Sequence, residues 1–174
     1  IKKIALAPER NGVKEFVETV TDEGVVVALG HSNATLEEAD VAVEAGASVF
    51  VHAYNGMRGL NHREPGMVGA LLTLQHVFSE LICDGHHVHP QAAEVLMEKA
   101  GHDHVALITD CMMAGGMPDG NYNLGEFPVV VAEGTARLDT GNLAGSILKL
   151  KEAIKNVVDW GIATPAQAIM MASL

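Results

Sequence analysis

A chain of 174 residues, 48% apolar and 19% charged, is long enough to bury one domain's core and too apolar to be disordered. Its 11 basic and 22 acidic residues leave a net charge of −11, which argues against nucleic acid as a partner but leaves room for a small anion held by one or two local cations. No apolar run reaches the roughly 18 residues of a membrane span, and Cys83 and Cys111 form neither a CxxC pair nor a disulfide framework, so free thiols in a reducing cytoplasm are expected.

The chain opens on a strand-like run, Ile4 to Ala7, ended by Pro8-Glu9, and no signal peptide is expected. A start inside an element leads us to expect missing sequence upstream. Lys14 to Glu23 is helical, with Val13, Phe16, Val17 and Val20 in helical period, and Gly24 stops it. Val25 to Leu29 is a β-branched, buried strand that ends in Gly30-His31-Ser32. Thr35 then opens a helix with Glu38 placed to complete a capping box, and Gly46 closes it. Ser48 to Val51 is the next strand, ending at His52, and a glycine-bearing loop leads to a helix from Met67 to about Val77. Glu80 to Cys83 is a short strand ending in Asp84-Gly85-His86-His87. Pro90 starts a helix that Gly101 ends, and Val105 to Thr109 is a strand ending at Asp110.

Five strands alternating with helices imply an α/β fold with a parallel sheet and right-handed crossovers. Four of them end in chemically able side chains: His31, His52, Asp84 with His87, and Asp110. These lie 21 (His31 to His52), 32 (His52 to Asp84) and 26 (Asp84 to Asp110) residues apart, the length of one βα unit. A lone histidine at a strand end is commonly a satisfied core residue, but a parallel sheet gathers all carboxyl ends on one side, so four of them converge. After Asp110 the pattern changes. Gly115 to Gly120 reads as a loop, and Phe127 to Val131 and Thr135 to Leu138 as a hairpin turning at Glu133-Gly134. A small-residue turn, Thr140 to Ser146, enters a helix from Ile147 to Trp160. Its amides form either an anion cradle or an ordinary helix start. A last helix begins at Thr164-Pro165.

Two imidazoles on neighbouring strand ends suit zinc, iron or manganese, with a third protein ligand and water completing a catalytic site. Asp110 can take a proton from metal-activated water. His87 can hydrogen-bond or polarise a substrate oxygen. Arg63 offers a bidentate fork for phosphate or carboxylate, or else pairs with the adjacent Glu64. His62, His76, His86, His89, His102 and His104 lack comparable placement, and Cys83 and Cys111 are expected to pack. The set describes metal-assisted hydrolysis of an anionic substrate.

Leu6-Ala7-Pro8-Glu9, Gly30-His31-Ser32-Asn33-Ala34-Thr35, His52-Ala53-Tyr54-Asn55-Gly56-Met57, Arg63-Glu64-Pro65-Gly66, Asp84-Gly85-His86-His87-Val88, Thr109-Asp110 and Leu143-Ala144-Gly145-Ser146 resemble, in order, the N-acetylglucosamine-6-phosphate deacetylase family of the amidohydrolase superfamily. The resemblance implies a partial (β/α)8 TIM-type barrel, about five of eight βα units with a small β-hairpin insertion, as one catalytic domain over 1–174 truncated at both ends. It implies a divalent metal, zinc foremost with iron, manganese or cobalt as alternatives, held by His31 and His52. It makes Asp110 the proton-transferring residue, and Asn55, Gly56, Arg63, His87, Ala144, Gly145 and Ser146 the contacts of a small sugar phosphate. The family's glutamate ligand lies in a segment absent here, and Glu9 does not replace it. An inactive or weakly active chain with an incomplete metal site is therefore expected. So is self-association or a homodimer, driven by an unpaired first strand and a strongly apolar inner sheet face. A dihydroorotase-like amidohydrolase and a non-catalytic sugar-phosphate-binding half-barrel are the competing readings.

Overall fold

The computed structural model describes residues 1–173. Its main sheet has five parallel strands, β1 (Lys3–Leu6), β2 (Val26–Leu29), β3 (Val49–Phe50), β4 (Phe78–Leu81) and β5 (Val105–Leu107), hydrogen-bonded in that order. Helices α1 (Val13–Asp22), α2 (Leu36–Glu44), α3 (Gly66–Thr73) and α4 (Pro90–Ala100) connect them. The strand order never reverses. The sheet is therefore singly wound, as in a barrel, and lacks the reversal point of a doubly wound sheet. A second sheet is antiparallel: β6 (Gly120–Leu124), β7 (Phe127–Ala132) and β8 (Thr135–Leu138). Helices α5 (Leu150–Asp159) and α6 (Pro165–Met171) follow. Among the described residues no helix is long and apolar enough to cross a membrane.

Side-chain alternation explains which sheet face is covered. Val27, Leu29, Phe50, Leu81, Val105 and Leu107 point to the helical side and share one core with Val17, Ala42, Met67, Leu71 and Leu96. Burying each Leu or Phe there contributes about 1.5–3 kcal/mol. The register puts Lys3, Ala5, Val26, Ala28, Val49, Phe78, Glu80 and Ala106 on the other face. Lys3 of β1 forms an ion pair with Glu80 of β4 on that face. Flat strands spaced about 4.8 Å apart would hold β1 and β4 about 14 Å apart, so this contact requires the sheet to curl. The inner face thus carries six apolar residues, Ala5, Val26, Ala28, Val49, Phe78 and Ala106, beside one charged pair, with Val26 and Phe78 exposed to 41% and 42%.

Several boundaries differ from the sequence reading. The segment Val77 to Cys83 is interrupted by Ser79 and Glu80, and the sequence reading placed its strand at Glu80 to Cys83. Pairing with β3 places β4 at Phe78–Leu81 and leaves Ile82 and Cys83 buried beyond the ladder. Helix α3 stops at Thr73, with Leu74 extended, because His76 turns at φ 62° to feed β4. Gly120, read as the end of a loop, and Asn121–Leu124, left unassigned, form strand β6: the polar Asn121 and Asn123 sit on the exposed face of a ladder that β7 supplies. The hairpin is therefore a three-stranded sheet, with Glu133 and Gly134 at φ 52° and 77° in its two-residue turn.

The largest difference lies between Asn142 and Lys149. The long helix begins at Leu150, not Ile147. Before it, Ser146 lies alongside Cys111 as a parallel bridge, with its amide donating to the Asp110 carbonyl (2.9 Å) and its carbonyl accepting from Met112 (2.9 Å). The Ala144 amide donates to Ala136. These amides are bonded within the protein, so the helix-entry anion cradle does not form. The segment instead joins the two sheets, and Met112, Ala114, Val129, Val131, Ala136 and Ala144 make a small second core.

Candidate active site

The carboxyl ends of the parallel strands build one cleft. His31 and His52 stand two residues beyond β2 and β3, and Asp84 and Asp110 three residues beyond β4 and β5. A cleft of about 230 Å³ is lined by His31, His52, Asn55, Gly56, Ile82, His87, Asp110, Leu143 and Gly145. The convergence read from strand spacing is thus present in space. His31, His52 and Asp110 have φ of 49°, 30° and 46°. Left-handed backbone is costly for residues with a Cβ, and it clusters where a surrounding structure holds a functional geometry.

His52 is buried and its hydrogen bonds define its protons. Nδ1 donates to the Asn55 carbonyl (3.0 Å), so Nε2 keeps its lone pair. That atom lies 2.8 Å from Nε2 of His31, which must therefore be the donor between them. The rings meet edge to face, with centroids 4.5 Å apart and planes at 83°. Gly56 closes the floor: at φ 58°, a Cβ there would come 3.3 Å from Nδ1 of His31. Two converging imidazole Nε2 atoms, one already unprotonated, fit two ligand positions of a borderline divalent metal. Among the described residues no group of three or more His, Cys, Asp or Glu gathers for a metal.

Glu9 and Glu64 hold this geometry from behind. One Glu9 oxygen accepts from the Ser32 hydroxyl (2.7 Å) and the other from the Asn33 amide (3.0 Å). The Ser32 hydroxyl in turn accepts from Ala34 (3.0 Å), and the Ser32 backbone exchanges bonds with Gly56 and Arg58. The node ties the loops after β1, β2 and β3 together around His31. Burial alone would raise the Glu9 carboxyl, but the Ser32 hydroxyl and nearby amides hold it below its ordinary range. Oε1 of Glu64 accepts from Gly66 (3.0 Å) and Leu36 (3.1 Å), the first residues of α3 and α2, which lowers its pKa as well. The two helix starts are thereby joined at one carboxylate.

The residues read from sequence divide in the structure. His31, His52, Asn55, Gly56, His87, Asp110 and Gly145 line the cleft. Asp110 is exposed there, with no hydrogen bond to its side chain among the described residues. Ala144 and Ser146 do not line it: both are buried, and the Ser146 hydroxyl donates to the Thr109 carbonyl. Arg63 is exposed on the loop after β3 and stands outside the cleft wall. Nor is it tied to Glu64, whose oxygen is taken by the two amides. Sequence reading missed the roles of Glu9, Glu64 and Asp84, because the partners that define them lie on other strands' loops or depend on how a turn folds. His89 caps α4, and His102 bridges Ile162 and Gln167.

No family model matches the chain. It is 48% identical over 171 residues to N-acetylglucosamine-6-phosphate deacetylase of Vibrio furnissii, covering 98% of this chain and 43% of that protein. It is 48% identical over 174 residues to N-acetylgalactosamine-6-phosphate deacetylase of Escherichia coli O157:H7, covering 100% of this chain and 46% of that protein. A shorter relative in Escherichia coli (strain K12) is 52% identical over 124 residues, 71% of this chain and 74% of that protein. Among solved structures, a variant N-acetyl-D-glucosamine-6-phosphate deacetylase from Mycobacterium smegmatis in complex with N-acetyl-D-glucosamine-6-phosphate aligns with a TM-score of 0.92 at 34% identity, over 98% of this chain and 45% of that one. The chain thus spans a little under half the length of the first of these relatives.

Proposed function

The chain belongs to the N-acetylglucosamine-6-phosphate deacetylase family, and from that premise we propose that it carries the metal-ligand pair, proton-transfer residue and sugar-facing wall of an enzyme hydrolysing the acetamide of an N-acetylhexosamine 6-phosphate. The products are acetate and the free amino sugar phosphate. The observation that carries this reading is one cleft holding His31, His52, His87 and Asp110 from successive strand ends. A cyclic-amide substrate finds no support in the relatives, which are named for acetamido sugar phosphates.

His31 and His52 would hold the divalent metal, zinc in the first instance. When bound, the metal supplies Lewis acidity toward the amide carbonyl and water. Asp110, with a carboxylate unengaged by protein groups, accepts a proton from water and returns it to the departing amine nitrogen. Asn55 donates its Nδ2–H to the Ala53 carbonyl (3.1 Å), which leaves its side-chain oxygen as an acceptor for a sugar hydroxyl or the acetamide N–H. His87 supplies an imidazole nitrogen to the substrate, and Gly145 packs against the opposite side. Arg63 reaches the phosphate only if its loop closes toward the cleft on binding.

Acetate release should be assayed with zinc on N-acetylglucosamine 6-phosphate and on its galactosamine epimer, with the unphosphorylated sugar as control. Slow turnover of the phosphorylated sugar is expected, reduced about 100-fold or more in Asp110→Asn. Equal rates for the wild-type chain and Asp110→Asn would overturn the proposal.

A further inference from the structure

His87 enters the mechanism only through the edge it turns to the cleft. What fixes that edge is a turn of four residues. Asp84, Gly85, His86 and His87 fold so that Oδ1 of Asp84 accepts from the amides of both His86 and His87, each at 2.8 Å. Oδ2 faces Nδ1 of His87 at 2.6 Å. The His87 and Asp84 side chains are only 7% and 11% exposed. Burial alone would push the Asp84 carboxyl up, but the His87 ring and the two amides hold it below its ordinary range, so it is ionised.

The two amides decide which carboxylate oxygen meets the ring. Oδ1 is engaged twice by backbone donors, so only Oδ2 is left for the imidazole. An ionised carboxylate oxygen only accepts, so Nδ1 must carry hydrogen. We propose that Asp84 is a positioning residue for substrate binding: it commits His87 to the Nδ1–H form, excludes the neutral Nε2–H tautomer, and so sets which kind of hydrogen bond Nε2 offers the sugar phosphate. In this state Nε2 is an acceptor, or a cationic donor backed by a carboxylate once it takes up a proton. It is never a neutral donor.

Asp84→Asn tests this with little change of shape. The amide oxygen must stay on the His86 and His87 amides, because reversing the group would set NH₂ against two N–H donors. The NH₂ then faces Nδ1 and donates to it, which forces the proton onto Nε2. Long-range ¹H–¹⁵N imidazole spectra of the full chain are expected to show His87 protonated at Nδ1 in the wild type and at Nε2 in Asp84→Asn, with the other histidines unchanged. A neutral Nε2–H His87 in the wild type overturns the proposal without any variant, and so does an unshifted tautomer in Asp84→Asn. The binding half rests on the deacetylase reading. There Asp84→Asn is expected to weaken the KM, or the calorimetric Kd, for the N-acetylated sugar phosphate about tenfold or more, with a smaller change in kcat. Unchanged affinity alongside the tautomer change overturns the positioning role. Absence of turnover in both proteins counts against the deacetylase reading alone, since the spectra and the Kd are measured without catalysis.

Discussion

Nε2 of His31 and Nε2 of His52 lie 2.8 Å apart across two adjacent strand ends, with His52 as the acceptor. The pair stays together because Asn55 holds the far nitrogen of His52 while Glu9 and Ser32 hold the loop that carries His31. Placing a cation between the rings requires the proton on Nε2 of His31 to leave or to move to Nδ1, so metal uptake is coupled to proton displacement.

Zinc is therefore expected to bind this chain weakly and to be lost on dialysis, since two imidazoles leave a catalytic-type site short of protein ligands. Calorimetry should show His52→Ala abolishing the binding. Stoichiometric zinc surviving dialysis, or zinc binding retained in His52→Ala, would contradict the assignment.

Gly56→Ala should be worse than a surface substitution. Its φ of 58° costs a residue with a Cβ about 1–2 kcal/mol, and the added carbon would stand 3.3 Å from Nδ1 of His31. Thermal denaturation should show the stability loss, and zinc titration a further weakening beyond what stability explains. A change at neither level would mean the loop shifts freely and does not hold His31.

Glu9 and Asp84 make stability fall with acid. Both carboxyls lie below their ordinary range in the fold. Each therefore stabilises the protein fully above the unfolded value of about 4, and that contribution is lost as pH drops through the lower folded value. Glu9→Gln should cost about 1 kcal/mol at pH 7, allowing for Glu9's exposure, and its melting temperature should converge on the wild type as pH falls below the lowered folded value of Glu9. Parallel curves at all pH values would show that the charge on Glu9 contributes nothing.

The two thiols should separate under alkylation. Cys83 is buried and its pKa is pushed up to about 12 by burial and by the neighbouring Asp84. Cys111 is exposed and its thiol is raised less, by partial burial and by Asp110. Iodoacetamide at pH 8 should label Cys111 slowly and Cys83 only after unfolding, as read by peptide mass spectrometry. Labelling of Cys83 in the native chain would show local opening of the β4 end.

Self-association has two grounds in this fold, the open sheet face with its exposed Val26 and Phe78 and an edge strand. Strand β1 stands at the end of the sheet order, with one row of backbone groups unpaired among the described residues. Light scattering at micromolar concentration is expected to show species larger than a monomer. A monomer whose Ile4 to Leu6 amides resist hydrogen exchange would mean that the edge is covered from within the chain.

Local chemistry in the chain was enough to place most elements and the histidine and aspartate strand ends. Apolar runs, glycine stops and the Thr35–Glu38 capping box are short-range signals, and a parallel sheet necessarily gathers its carboxyl ends. That is why His31, His52, His87 and Asp110 could be grouped before any coordinates. Relationships between segments distant in sequence belonged to the tertiary structure alone. Gly120–Leu124 has only a short alternation of Asn121 and Asn123 with Tyr122 and Leu124, and it is the ladder offered by β7 that makes it a strand. Ala144 to Ser146 resembles a helix entry until its amides meet Ala136 and Asp110. Glu9 becomes the clamp on His31 through a hydroxyl 23 residues away, and Asp84 acquires its hold on His87 from the folding of one turn. Periodicity records which side of its own element a residue faces. Which donor from another segment will meet it depends on the packing of the whole sheet.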